Sequence, residues 1–243
     1  MTGKSGGGKK RVAARILGID IGASGLKAGI IDGRGKFIVP KIRVKTPHPC
    51  PPAVMVKTLT ELVAPFRKYD HIAVGFPGYV RDGKVITAPN LGTEDWAGFP
   101  LAATLARKFG KPTRLANDAD MQGLAVIKGK GLEFVITLGT GFGTAWFKDG
   151  ELLPHIELAH HPIYHDDEYD AYIGDATRKK IGNRKWAKRI EKIIPVLSRV
   201  FDYDHLYIGG GNALHLKFKL PRNVTIVSND AGMEGGAWLW NPR

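Results

Sequence analysis

Apolar residues along this chain fall into two regimes: short uninterrupted runs closed by glycine or aspartate, and longer stretches in which they recur every third or fourth position. The first run, Ile16-Leu17-Gly18-Ile19-Asp20-Ile21, is closed by Gly22-Ala23-Ser24-Gly25. Leu26 to Asp32 resumes it, Gly33-Arg34-Gly35 turns the chain, and a third strand is predicted near Phe37–Val44. Pro47, Pro49, Pro51 and Pro52 break the chain before a helical pattern at Val54–Phe66, where Val56, Leu59, Leu62, Val63 and Phe66 share a face. A buried-type strand follows at His71–Phe76 and runs into Pro77-Gly78. Tyr79 to Phe99 reads as a polar loop and Leu101–Phe109 as a helix; Pro112–Asp118 is a strand ending in polar residues, and Ala119–Ile127 a helix.

The plan then starts again. Glu133–Leu138 is a strand, Gly139-Thr140-Gly141-Phe142-Gly143 a turn, and Thr144–Lys148 a return strand before Asp149-Gly150. Strand, glycine turn, strand and Asp-Gly turn thus occur twice, which suggests an α/β fold of two duplicated lobes. The remainder reads as helical up to a strand at Asp204–Ile208, which runs into Gly209-Gly210-Gly211-Asn212; a last helix is predicted around Gly232–Trp240. In Trp186–Phe201 the apolar residues fit one helical face, and Pro195 is expected to kink that helix or end its first part. The predicted division is a tail at 1–15, a first lobe at 16–116 and a second at 117–243, whose last helix is free to pack back on the first.

Composition narrows the partners. The 243 residues carry 36 Lys+Arg against 23 Asp+Glu, a net charge of +13, with 43% hydrophobic residues. That is globular composition, with a positive field that attracts polyanions. Residues 1–15 are rich in Gly, Lys and Ser and read as a disordered basic arm. No run is long enough to cross a membrane and no signal-peptide core is present, which predicts a cytoplasmic protein without membrane attachment. Cys50 is the sole cysteine, so an intrachain disulfide and a multi-thiolate zinc site are excluded.

The chemistry sits in the glycine turns. Asp20-Ile21-Gly22-Ala23-Ser24-Gly25-Leu26-Lys27 and Leu138-Gly139-Thr140-Gly141-Phe142-Gly143 are paired strand-turn-strand loops. Glycine lets backbone N–H groups approach phosphate oxygens, and Ser24, Thr140 and Lys27 add donors. Gly209, Gly210 and Gly211 form a third cluster. The segment Gly3-Lys4-Ser5-Gly6-Gly7-Gly8-Lys9-Lys10 imitates a P-loop, but Lys10 stands where Ser or Thr is needed and no strand precedes it. Asp118, between a strand and a helix, is placed either to project into a cleft or to cap the helix.

These motifs resemble the ROK (repressor, open reading frame, kinase) sugar kinases of the actin/hexokinase-like ATPase superfamily, over nearly the whole chain from Ile16 to Trp240. Asp20–Lys27 with Asp32 resembles the first phosphate motif, Asn117-Asp118-Ala119 the catalytic segment, Leu138–Gly143 the second phosphate motif and Ile208–Asn212 the adenosine-side motif. Within that family the polyphosphate glucokinases are nearest, sharing the compact length, a Glu-Leu-x-His segment and a basic Lys-Trp helix like that around Lys185-Trp186. The resemblance implies two actin-like (ribonuclease H-like) lobes with mixed sheets around an interlobe cleft, and transfer of a phosphoryl group from polyphosphate, ATP or both to the 6-hydroxyl of glucose or a similar hexose. It gives Asp118 the role of general base and makes Asn90, Asn117, Glu157 and His160 sugar contacts. It further implies a homodimer; Mg²⁺ is expected to come with the donor phosphates and to be held mostly through waters and carboxylates such as Asp20, and no zinc is expected.

The chain departs from the family at Ala159, where glycine is usual, and lacks the family's cysteine cluster. Asn90 reads equally as a turn residue after Pro89, and Glu157 and His160 as an i,i+3 pair on a helix surface. His155, His160, His161 and His165 read as solvent-facing residues of a polar loop. The basic run Arg178, Lys179, Lys180, Arg184, Lys185, Lys188, Arg189, Lys192 is either a path for polyphosphate or a solvated helix face. A non-catalytic sugar sensor is the alternative, although the tail is too short for a helix-turn-helix domain. No nucleic-acid partner is expected, because aromatics do not interleave with the basic run.

Overall fold

The computed structural model describes residues 14–228 and 232–241. Most of the expected basic arm, including Lys4, Lys9, Lys10 and Arg11, lies outside the described residues. Arg15, assigned to that arm, is instead tied to the fold: its backbone N–H donates to the Asp70 carboxylate at 2.9 Å and its guanidinium to the Lys68 carbonyl.

Two five-stranded sheets carry the architecture. The chain lays down β1 (Ile16–Ile21), β2 (Leu26–Ile31), β3 (Phe37–Val44), α1 (Pro52–Val63), β4 (His71–Phe76), a hairpin of β5 (Val80–Arg81) and β6 (Lys84–Val85), α2 (Thr93–Trp96), α3 (Leu101–Phe109) and β7 (Thr113–Asn117). Their sheet has the order β3-β2-β1-β4-β7, with β1 antiparallel to β2 and parallel to β4. Central strands buried on both faces need continuous apolar runs, which is why β1 and β4 read that way. Edge strand β3 keeps Pro40, where a missing N–H leaves no inner ladder bond unmade.

The second half begins with α4 (Asp118–Val126) and continues through β8 (Leu132–Leu138), β9 (Phe142–Lys148), β10 (Glu151–Leu152), the hairpin β11 (Pro162–Tyr164) and β12 (Asp167–Glu168), α5 (Tyr169–Ile173), α6 (Asp175–Ile181), α7 (Asn183–Phe201), β13 (His205–Gly209), β14 (Val224–Ile226) and α8 (Gly236–Trp240). Here the order is β10-β9-β8-β13-β14, with β8 antiparallel to β9 and parallel to β13. The strand-turn-strand unit with a parallel neighbour therefore occurs in both sheets, as the repeated pattern predicts. Helix α8 packs against β1, β4 and α4. Trp240 stacks on His71 with ring centroids 4.3 Å apart and donates its indole N–H to the Ile72 carbonyl.

Three expectations need correction. The segment Tyr79–Phe99, read as loop, contains β5, β6 and α2. Trp96 organises it, fully buried against Phe76 with its indole N–H on the Cys50 carbonyl at 3.1 Å. Residues 151–168, read as helical, form β10, a 3₁₀ turn at Leu158–His160 and the β11–β12 hairpin. Pro195 neither ends nor splits α7, which runs unbroken from Asn183 to Phe201. The carbonyl that Pro195 leaves without a partner belongs to exposed Glu191, where water can serve it. Trp186, Ile190, Ile193, Ile194 and Leu197 bury a continuous apolar face on both sides of the proline, and that burial holds the helix together.

Candidate active site

The two glycine turns occupy equivalent ends of the two sheets, so the repeat that builds the lobes also sets the turns facing each other. Each closes on itself, with Gly22 N–H donating to the Gly25 carbonyl and Gly139 N–H to the Gly141 carbonyl, both at 3.1 Å. Between them lies a cleft of about 470 Å³. Its walls include Asp20, Gly22, Ser24, Gly25 and Lys27 from the first turn, Gly139, Thr140, Gly141 and Gly143 from the second, and Asn90, Asn117, Asp118, Glu157 and His160 between them.

Other residues singled out by sequence lie elsewhere. Asp32, at the far end of β2, accepts the backbone N–H groups of Arg34 and Lys36 and shapes a turn. Gly209, Gly210 and Gly211 do not line the cleft; they pass behind the second turn, where Gly210 abuts the Leu138 backbone. Asn212 reaches forward from there, its amide donating to the Gly139 carbonyl at 2.9 Å and to Asp175 at 3.1 Å.

The β7–α4 junction fixes Asn117 and Asp118. The Asn117 side chain caps α4 by accepting the Ala119 N–H at 2.8 Å and donates to the Gly78 carbonyl at 3.0 Å. Asn117 is therefore buried and largely committed to holding two walls of the cleft in register, with one amide hydrogen remaining. Asp118 does not have to serve as the cap and projects into the cleft, though one of its oxygens also accepts the Ala119 N–H at 2.8 Å. Its carboxylate is open to the cleft, whose walls from both lobes surround it. Desolvation, then repulsion from Asp20, pushes its carboxyl up to about 7. Asp20 itself pairs with Lys27, its cross-strand neighbour, at 2.8 Å. Arg43 adds a cation that the sequence reading missed, its guanidinium lying over Gly25.

The Glu157–His160 pairing does not form. Glu157 bonds to His155 Nε2 at 2.7 Å, while His160 Nδ1 faces Glu168 at 2.9 Å across the β11–β12 region. His155, expected to face solvent, has only 6% of its side chain exposed. Its Nδ1 lies 3.0 Å from Asp120, and the two carboxylate hydrogen bonds carry its pKa up to about 10 against the opposing effect of burial. Asp120 and His155 were missed because 35 residues separate them in sequence. Asp170 was missed too; it accepts the Phe142 N–H at 2.6 Å and supports the second turn. Ala159 lines the cleft outside the left-handed region, so its β-carbon brings no backbone strain. Among the described residues no His/Cys/Asp/Glu group is arranged to hold a metal by itself, and no helix is long and apolar enough to cross a membrane.

Comparison with known proteins agrees with this geometry. The profile of the ROK family matches residues 16–155. The chain belongs to the ROK family. Over 237 residues it is 31% identical to the polyphosphate glucokinase of Mycobacterium tuberculosis (strain ATCC 25618 / H37Rv), covering 91% of this chain and 89% of the relative. Its fold superposes on the inorganic polyphosphate/ATP-glucomannokinase of Arthrobacter sp. strain KM with a TM-score of 0.81 and 30% identity, covering 92% and 97% of the two chains. A ROK family glucokinase from Streptomyces griseus, solved with glucose and AMPPNP, shares the fold at a TM-score of 0.75 and 19% identity, over 93% and 99% of the two chains. The protein is a phosphotransferase built on the actin-like ROK fold.

Proposed function

We propose that this ROK protein is a glucokinase that uses polyphosphate, ATP or both, with Asp118 as general base. The observation that carries this reading is a perturbed carboxylate set between two glycine turns in one cleft. Phosphoryl transfer asks the protein mainly to position its reactants and to stabilise charge, and the acceptor hydroxyl needs a nearby carboxylate to take its proton. Glu157, His160 and Asn90 supply the mixed donors and acceptors that a polyhydroxylated substrate requires. The turn N–H groups and Arg43 receive the donor phosphates. A sensor without turnover is disfavoured, since relatives that match nearly the whole chain are named kinases.

Mg²⁺ fits the site. Asp20 and Asp118 direct two like charges into one cleft, where the repulsion between them raises Asp118. One such carboxylate together with donor phosphates and water is an ordinary magnesium environment. When bound, the ion neutralises charge on the transferring phosphate.

Polyphosphate is favoured by the +13 charge and by the exposed Lys180, Arg184, Lys185, Lys188 and Lys192 of α6 and α7. Arg178 and Lys179 are paired with Asp175, and Arg189 is held by Tyr172. The purified protein, given glucose and Mg²⁺, should form glucose 6-phosphate with polyphosphate as donor. Replacing Lys185 and Lys188 by alanine should raise KM for polyphosphate severalfold and leave that for glucose unchanged. Turnover with ATP alone would return these lysines to a solvated surface, and no turnover with either donor would sink the glucokinase reading.

The raised Asp118 carboxyl sets the pH dependence. As pH falls through about 7 the base takes up a proton and turnover is lost, so kcat/KM for the sugar at low donor concentration should fall about tenfold per pH unit below that point. Asp20→Asn removes the repulsion and should move this limb to lower pH. A limb near pH 4, the ordinary carboxyl range, would contradict the assignment.

A further inference from the structure

We propose that His155 is a positioning residue, which bridges Asp120 and Glu157 through both ring nitrogens and holds the Glu157 carboxylate as an acceptor for sugar hydroxyls. The inference rests on the sugar-site reading above, and it adds a residue that the resemblance does not supply.

The geometry requires donors on both sides of the ring. Nδ1 lies 3.0 Å from Asp120 Oδ1 and Nε2 lies 2.7 Å from Glu157 Oε1. A neutral imidazole has one N–H and would turn a lone pair toward one of these oxygens, whereas the imidazolium donates to both. Two carboxylates around one buried ring supply the charge that keeps it protonated. His155 holds Oε1 of Glu157, and the side chain lines the cleft, where its carboxylate oxygens serve as acceptors.

The surroundings fix the ring further. Its face stacks on Tyr79 at 5.6 Å between centroids, and Tyr79 follows Gly78, whose carbonyl takes the Asn117 amide. The segment carrying His155 and Glu157 is pinned to β9 by Thr144, whose hydroxyl donates to the Ile156 carbonyl at 2.8 Å, and by Trp146, whose indole donates to the Pro154 carbonyl at 2.9 Å. His155 is thus the point at which α4, the β9-bound segment and the Tyr79 loop meet. The charged groups that act on the ring are Asp120 on α4 and Glu157 on its own segment; Asp118 on α4 and Asp170 on α5 line the same cleft, and Arg81 lies over the Tyr79 ring.

A double-mutant cycle on the full-length enzyme tests the coupling, using His155→Gln, Glu157→Gln and the pair, with kcat and KM for glucose measured at saturating donor and folding checked by thermal melting. Glutamine keeps an amide donor in the site and is gentler than His155→Ala, which strands a buried carboxylate. As a second safeguard, Asp120→Asn with His155→Gln removes both charges together. His155→Gln should raise glucose KM about tenfold with little change in kcat. In the Glu157→Gln background the same change should add less than about twofold, because its effect passes through Glu157. Fully additive effects, or an unchanged KM for folded His155→Gln while Glu157→Gln raises it, would overturn the positioning role alone. A folded Glu157→Gln enzyme with unchanged glucose KM would overturn the sugar-site reading, and this proposal with it.

Discussion

Asp118→Asn should abolish turnover while leaving a folded protein that still binds sugar. General-base catalysis contributes about 10²- to 10⁴-fold, so kcat is expected to fall roughly a thousandfold, with glucose affinity changing by less than threefold. Asparagine keeps the side-chain shape and the acceptor that takes the Ala119 N–H at 2.8 Å, so the start of α4 should be undisturbed. The sign of the stability change is the more discriminating part. Desolvation and the Asp20 charge both oppose ionisation of Asp118, so at pH 8 the native enzyme holds an unfavourable negative charge. Removing it should raise the melting temperature slightly at pH 8 and have less effect at pH 5, where the carboxyl is already protonated in the fold. A variant that keeps turnover within tenfold of the parent would show that another group takes the proton. One that melts lower at both pH values would show that Asp118 serves the fold rather than the reaction.

The same carboxylate shows what could be read from the sequence and what could not. Elements long enough to show their period were legible: β1, β4, β8, α3 and the apolar face of α7 were all visible as runs or helical repeats. The hairpin β5–β6 was not, because strands of two residues have no period and are held by side chains such as Trp96 that are distant in sequence. The glycine turns were found because a tight strand-to-strand turn demands a local composition. Relationships between distant side chains left no such trace. Asn117, which the family resemblance makes a sugar contact, also joins two walls of the cleft through the Ala119 N–H and the Gly78 carbonyl, a role that no local pattern announces. His155 looked like one solvated histidine among four, since nothing local announces that Asp120 meets it. Burial on both sides of Pro195 outweighed one missing helical hydrogen bond, and of the basic run from Arg178 to Lys192 only Arg178, Lys179 and Arg189 are engaged locally.

Gly210→Ala should be among the most destabilising single-methyl substitutions in the second lobe, and for a reason separate from chemistry in the cleft. Gly210 has φ of +84°, a conformation that costs a side-chain-bearing residue about 1–3 kcal/mol. A β-carbon there would also collide with the Leu138 carbonyl oxygen and lie 2.5 Å from its backbone carbon and nitrogen, where only movement of the strand itself gives relief. Overpacking of this kind costs about another 1–3 kcal/mol. For a chain of this size each kcal/mol lowers the melting temperature by about 2–4 °C, so a fall of roughly 5–20 °C is expected. Because β8 and β13 are paired through Thr137 and Gly209, the strain should pass into the turn that begins at Gly139 and raise KM for the phosphoryl donor. Gly139→Ala separates the two effects. Its β-carbon meets no atom within 4 Å and its backbone is not left-handed, yet it lines the cleft. It should melt within about 2 °C of the parent and still raise KM for the donor, because the methyl takes up space intended for phosphate. If Gly139→Ala leaves donor KM unchanged, phosphate does not approach this turn, and the glycines of the second loop serve the hairpin alone.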